Sequence, residues 1–197
     1  MKPMKKLPKI QYNSPVILTF AFLSLLTLVL NRLTGGRSNT LLFSVYRASF
    51  ADPLTYLRLF LHVIGHGSLE YFMGNILLLL VIGPPLEEKY GSLNLLLSIL
   101  ITAVVAGLVQ MLLFPYSALL GASGIVFMMI VLSSLAGMED GRIPLTLILV
   151  VVLYLGREVV DMIVQRDNIS QLTHIIGGIC GAAIGFALKR VEAGRNP

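Results

Sequence analysis

Apolar runs separated by short polar or Gly/Pro-containing breaks occupy most of the chain. A transmembrane helix needs roughly twenty mostly apolar residues to cross about 30 Å of hydrocarbon. By that measure the pattern predicts six spans, at about 15–33, 70–87, 92–114, 122–137, 143–163 and 171–189. The only long connection, about residues 34–69, holds two apolar pieces that are too short to span, Leu41–Tyr46 and Leu54–Ile64. We expect both pieces to be helices that lie in or against the membrane interface.

Composition supports an all-α integral membrane protein. Of the 197 residues, 56% are hydrophobic and only 13% are charged, a balance that excludes an ordinary water-soluble domain. The predicted organisation is one six-helix membrane domain at 15–190, a basic N-terminal segment at 1–14 and a short tail at 191–197. The single cysteine, Cys180, cannot form an internal disulfide, and we interpret it as a small packing residue.

The net charge of +5 indicates membrane topology and not a nucleic-acid partner. Cations cluster beside the first apolar run, at Lys2, Lys5, Lys6 and Lys9. That cluster favours cytoplasmic N and C termini, with nine cations on the inner side and six on the outer side. The first run has no small-x-small cleavage signature, so we interpret it as a retained helix and not a signal peptide. A bacterial cell membrane is the expected location.

Two polar residues stand in stretches that otherwise resemble lipid-soluble helix, Ser123 and His174. Polar side chains are costly there and point to function. A serine beside a histidine is the minimum apparatus for nucleophilic catalysis, because the imidazole removes the hydroxyl proton and later returns it to the leaving group. From Ser123 to Ala136 the fourth span offers only fourteen helical residues, about 21 Å of helix. We therefore expect Ser123 at the top of a short helix, below the outer surface, in a cavity that admits water.

Glycines surround both residues. Gly121 and Gly124 permit a tight loop-to-helix transition at Ser123, where free N–H groups suit a developing oxyanion. Glycines also recur every four residues along the sixth span, on the face that carries the histidine: Gly177, Gly181 and Gly185. Such a face lets two membrane helices touch backbone to backbone, which predicts that His174 comes within hydrogen-bond reach of Ser123. Since no carboxylate is obviously placed to orient the imidazole, we expect a dyad.

Taken in their order along the chain, the motifs over about residues 53–188 resemble those of the rhomboid intramembrane serine proteases. The matching pieces are Gly-x-Ser-Gly at 121–124, His-x-x-Gly-x-x-x-Gly at 174–181, His66 with Asn75, Arg58-Leu-Phe, and Glu87-x-x-x-Gly91. The resemblance implies a six-helix rhomboid-like bundle with a membrane-associated first loop. It also implies a serine-type hydrolase that cleaves transmembrane protein substrates within the membrane lipid. Ser123 is then the nucleophile and His174 the base, with no metal and no cofactor.

The resemblance also implies an oxyanion hole formed by the serine N–H, an asparagine on the second helix and a histidine four residues before it. Asn75 matches the asparagine, but Tyr71 stands in the place of the histidine. Phe127 stands where the family often has a tyrosine stacked under the catalytic histidine, and His66 matches a position that organises the first loop. These departures bear on catalytic efficiency more than on the fold.

His62, His66 and Glu70 fall four apart on one helical face and suggest a metal site, but the order His-Glu-x-x-His is absent, and a carboxylate is favourable at a helix start anyway. Glu87 is interpreted as a cap and loop anchor. Three charged residues near the outer end of the fifth span are expected to form ion pairs: Arg157, Glu158 and Asp161.

The alternative function is that of a rhomboid-like pseudoprotease, which binds membrane proteins without cutting them. Tyr71 at an oxyanion position motivates it. A channel or transporter is a distant third, because the chain has no repeated broken helices and no acidic relay through its spans.

Overall fold

The computed structural model describes residues 12–137, 142–143, 145–150, 152–153 and 168–195, and the regular structure in this part of the chain is helical. The α-helices are α1 (Pro15–Leu33), α2 (Arg37–Leu41), α3 (Pro53–Leu61), α4 (Leu69–Tyr90), α5 (Ser92–Leu113), α6 (Ser123–Ala136), α7 (Leu145–Val150) and α8 (Asn168–Arg195). A 3₁₀ turn, His62–Ile64, extends α3. The predicted all-α class is confirmed.

Four described helices are long and apolar enough to cross a membrane. They are Pro15–Leu33, Leu69–Tyr90, Ser92–Leu113 and the segment Gln171–Val191 of α8. α6 has fourteen residues, with the bounds predicted from the sequence. Most of the predicted fifth span lies outside the described residues, together with Arg157, Glu158 and Asp161. α8 continues to Arg195, so the predicted tail at 191–197 is helical over most of its length.

α6 is the centre of the bundle. It packs most extensively against α8 and also contacts α4 and α5. Ile125, Val126, Phe127 and Met128, four consecutive residues that point in different directions around α6, are all buried. Because these side chains are buried on every side, other helices and not lipid surround this part of α6. Ser123, the first residue of α6, therefore lies inside the bundle and does not face lipid.

Of the two helices predicted in the first loop, one is present and one is not. The piece Leu54–Ile64 is helical, as α3 and the 3₁₀ turn, but Leu41–Tyr46 is not a helix. Val45 instead forms an antiparallel bridge with Leu119, in which each backbone N–H donates to the other residue's carbonyl, at 2.9 and 2.8 Å. Both residues are buried, so pairing satisfies backbone groups that water does not reach. The bridge ties the first loop to the segment that leads into α6.

Arg58 holds the first loop together from inside. Its side chain is only 6% exposed, and its Nε donates to the Leu41 carbonyl at 2.9 Å. Nη1 lies 3.3 Å from the Asp52 carboxylate, and the guanidinium stacks over the Tyr46 ring, 4.7 Å from its centroid. One side chain thus links the end of α2, the start of α3 and the segment between them.

Glu87 links helices at the opposite end of the bundle. Its carboxylate is buried at the end of α4 and accepts from the backbone N–H groups of Val16 and Ile17, at 3.0 and 3.1 Å. The Ser92 hydroxyl donates to the same carboxylate at 2.7 Å. The first N–H groups of a helix have no partner within it, so Glu87 caps α1 and ties it to α4 and α5. The prediction of a cap and anchor is confirmed.

We expect Glu87→Gln to lower the free energy of unfolding by about 2–3 kcal/mol, because an amide offers one acceptor oxygen where the carboxylate serves three donors. The measurement is reversible unfolding in mixed micelles. Glu88→Gln is the matched control, since Glu88 is exposed on the same turn, and its effect should stay within about 0.5 kcal/mol. Equal losses in the two variants would contradict the capping role.

Candidate functional site

Ser123 begins α6 directly after a tight turn. Gly121 adopts φ +118°, a conformation that residues with a side chain rarely adopt, and its N–H donates to the His62 carbonyl at 2.9 Å. A Cβ atom at Gly121 would also collide with the phenol of Tyr71. Both the backbone angle and the available space therefore require glycine there. The turn leaves Ser123 only 8% exposed.

His174 is held by an aromatic stack. Its ring lies parallel to the Phe127 ring, with centroids 4.2 Å apart and an interplanar angle of 4°. Phe127 is one turn after Ser123 on α6, so the stack fixes the imidazole relative to the helix that carries the serine. The aromatic contact expected at residue 127 is present in the structure.

The glycine face of α8 touches the backbone of α6. A Cβ atom added at Gly177 would overlap the Gly124 carbonyl and lie 2.9 Å from its carbon, and one at Gly181 would lie 3.1 Å from the Met128 Cα. In turn, a Cβ at Gly124 would lie 3.0 Å from the Thr173 side chain. Only small residues permit helices to approach so closely. The predicted backbone contact between these two helices is therefore present.

The residues predicted to be catalytic or to form the oxyanion hole line one cavity of about 320 Å³. Ser123, His174, Asn75 and Tyr71 all contribute to its wall. The remaining lining residues come from α4 and α6: Glu70, Gly74, Leu78, Val126 and Phe127. The structure thus brings a serine, a histidine, an amide and a phenol to one opening, although they come from three different helices.

Tyr71 reaches the serine hydroxyl itself. Its Oη donates to Ser123 Oγ at 3.1 Å and lies 3.4 Å from the Leu120 carbonyl. The side-chain amide of Asn75 donates to the Tyr71 carbonyl at 2.9 Å, one helical turn back. In this arrangement the phenol contacts the serine oxygen directly, and one of the two amide N–H groups of Asn75 is used within α4.

The three residues considered as metal ligands do not converge. Nε2 of His62 lies 3.0 Å from the Ala103 carbonyl, and burial lowers the pKa of His62 to about 4, so its ring is neutral at pH 7. Nδ1 of His66 lies 3.1 Å from the Ile64 carbonyl, and its ring packs edge-on against Phe72. Glu70 instead lines the cavity at Ser123. Among the residues described, no group of three His, Cys, Asp or Glu is arranged to hold a metal ion.

His66 also organises the first loop, since its carbonyl accepts from the Asn39 side chain at 3.0 Å. Its ring lies 5.5 Å from the Tyr71 ring, which connects the loop to the cavity wall.

Sequence reasoning missed Glu70, Gly74 and Leu78 as part of the cavity. Their spacing contains the signal, because residues 71, 74, 75 and 78 follow the i, i+3, i+4, i+7 pattern of one helical face. Once Asn75 is assigned to the site, its neighbours on that face follow.

The family model for the Rhomboid domain matches residues 53–191. The chain belongs to the rhomboid family. The matched segment begins with α3 and ends within α8, so it contains every residue of the rhomboid site described above. The chain is similar to Rhomboid-related protein 2 of Mus musculus, with 25% identity over 158 residues. That match covers 70% of this chain and 52% of the mouse protein, so the chain spans about half the length of this curated relative.

We expect Gly177→Ala to destabilise the rhomboid bundle by about 1–3 kcal/mol, because the added methyl group meets the Gly124 carbonyl and must separate α6 from α8. Unfolding in mixed micelles measures the change. Gly137→Ala is the control, since nothing lies within 4 Å of a Cβ at that position, and it should change stability by less than about 0.5 kcal/mol. A neutral Gly177→Ala would show that the two helices can separate without cost.

Proposed function

We propose that the chain is an intramembrane serine endopeptidase in which Ser123 is the nucleophile and His174 the general base. The observation that carries the proposal is that both residues line one cavity, with the serine at a helix N terminus and the histidine stacked on Phe127. A reactive serine needs a base whose ring is held in place, and the stack supplies that restraint. Family membership supports the same assignment.

In the proposed reaction, Ser123 Oγ attacks the carbonyl carbon of the scissile peptide bond as His174 takes the hydroxyl proton. The tetrahedral intermediate collapses, the C–N bond breaks and the leaving amine receives that proton from the imidazolium. Water then attacks the resulting ester, with His174 again accepting a proton and returning it to Ser123 Oγ. No metal or cofactor takes part in the proposed chemistry.

The oxyanion would be stabilised by the first N–H groups of α6, because the N-cap residue of this helix, Ala122, has no side-chain acceptor for them. Asn75 would donate its second amide N–H, the one that the Tyr71 carbonyl does not take. Tyr71 would contribute its hydroxyl after releasing Ser123 Oγ. Loss of one such donor typically lowers the rate by about 10²–10³-fold.

The proposed substrates are transmembrane proteins that approach through the surrounding lipid. Leu78 and Val126 give the cavity apolar walls, which suit a segment arriving from the bilayer. With both termini in the cytoplasm, as the N-terminal lysines favour, Ser123 opens towards the outer face of a bacterial cell membrane.

A second candidate is a rhomboid pseudoprotease that binds membrane proteins without cutting them. The hydrogen bond from Tyr71 to Ser123 Oγ favours it, since a donor on the nucleophile withdraws electron density from the attacking oxygen. It also places a phenol next to the position that the substrate carbonyl must reach.

Covalent labelling with a fluorophosphonate tests the proposal. We expect the wild type to label and to cleave a transmembrane substrate, while Ser123→Ala and His174→Ala do neither, since removal of either group costs about 10⁴–10⁶-fold in rate. Ser134→Ala is the matched control, because this serine lies on the same helix and its hydroxyl donates to the Ile130 carbonyl at 3.0 Å. A wild type that is not labelled and does not cleave the substrate, but still binds membrane proteins, would support the second candidate instead.

Tyr71 variants separate its two possible effects. If the phenol restrains the nucleophile, Tyr71→Phe should label about tenfold faster than the wild type, because Ser123 Oγ loses a donor and no bulk is removed. If it serves chiefly as an oxyanion donor, Tyr71→Phe should lower kcat about 10²-fold and Tyr71→His should restore it. Identical rates in all three proteins would contradict any role of the phenol in the reaction.

A further inference from the structure

We infer that Glu70 selects substrates by charge, favouring basic over acidic residues next to the scissile bond. The inference rests on the proposed function, because it concerns the same cavity. Glu70 lies in the first turn of α4, directly before Tyr71, and lines the opening together with Ser123 and His174. Among the described residues that line this cavity, it carries the only carboxylate.

No described cation neutralises this carboxylate. The salt bridge present in this part of the chain joins Arg58 to Asp52 within the first loop. Glu70 is exposed and lines the opening, so its carboxylate is accessible to a ligand that enters the cavity. A charged wall beside a reactive group attracts ligands of opposite charge and rejects ligands of like charge.

The carboxylate is not required as the cap of α4. Ser68 fills that position, and its hydroxyl accepts from the Tyr71 N–H at 3.1 Å. A glutamate in the first helical turn still interacts favourably with the helix dipole. That interaction affects stability alone. Selection by charge instead changes the ratio of the cleavage rates of two substrates, so the two effects can be measured separately.

The position of Glu70 determines which part of the substrate it meets. Glu70, Gly74 and Leu78 follow one another at four-residue intervals along the α4 wall, with Glu70 at the helix end where the span begins. A substrate strand whose carbonyl reaches Ser123 must pass this wall, so a residue adjacent to the scissile bond comes near the carboxylate. The favoured substrates are then membrane proteins with lysine or arginine beside the cleavage site, at the boundary of their transmembrane segment.

The test uses transmembrane substrates that differ only by Lys, Gln or Glu at each position flanking the scissile bond. For at least one position, kcat/KM of the wild type should be about tenfold higher for Lys than for Glu, as expected for exposed charge pairs. Glu70→Gln should reduce this ratio to about one, and Glu70→Lys should invert it. Glu88→Gln, which removes an exposed carboxylate from the other end of α4, should keep the wild-type ratio.

Because the preference is a ratio measured within one variant, a partial loss of folded protein cancels. Raising the salt concentration should weaken the preference in the wild type and leave Glu70→Gln unchanged. A wild type that cleaves all three substrates equally, or a preference that Glu70→Lys does not invert, would overturn the inference and leave the protease proposal intact. A wild type that cleaves none of them and does not label at Ser123 would overturn both.

Discussion

The contact between the backbones of α6 and α8 is the constraint on which the rest of the site depends. In lipid there is no hydrophobic driving force that packs one apolar helix against another, so close approach depends on complementary helix surfaces. Gly177 against Gly124 and Gly181 against Met128 supply that shape along two turns. Since His174 lies one turn before Gly177, the same contact sets how far its ring stands from the helix that begins at Ser123. The stack on Phe127 then fixes the tilt of the ring.

A short helix in the middle of a bundle needs support at its ends, because its fourteen residues are too few to cross the hydrocarbon core as a full span does. At the N terminus of α6 the first loop provides this support, through the bridge from Val45 to Leu119 and the bond from Gly121 to the His62 carbonyl. At the C terminus the Lys89 ammonium donates to the Ala136 carbonyl, where a cation also complements the helix dipole. The first loop is therefore part of the structure that positions the serine.

Much of this architecture follows from sequence, and the exceptions have physical reasons. The bounds of α6 were predictable because Pro115 and the Gly121 turn interrupt the apolar pattern before it and Gly137 follows it. The segment Leu41–Tyr46 was wrongly assigned to a helix because a short apolar run has no decisive periodicity, and its true partner, Leu119, is distant in the chain. The sequence places Tyr71 at a position where an oxyanion donor is expected. It does not predict that the phenol bonds Ser123 Oγ, because the distance between them depends on the turn at Gly121. The catalytic and oxyanion roles of these residues remain predictions.

The two halves of the site are built on different principles. α6 and α8 meet through backbone atoms, so their separation does not depend on any long side chain. The α4 wall meets the cavity through side chains, of which Glu70 and Tyr71 are exposed and Asn75 is buried. Substitutions on α4 can therefore alter charge and hydrogen bonding at the opening while the serine and histidine keep their places. If the chain is a protease as proposed, the α4 wall would set its selectivity and rate, whereas the glycine contact sets the separation of α6 from α8.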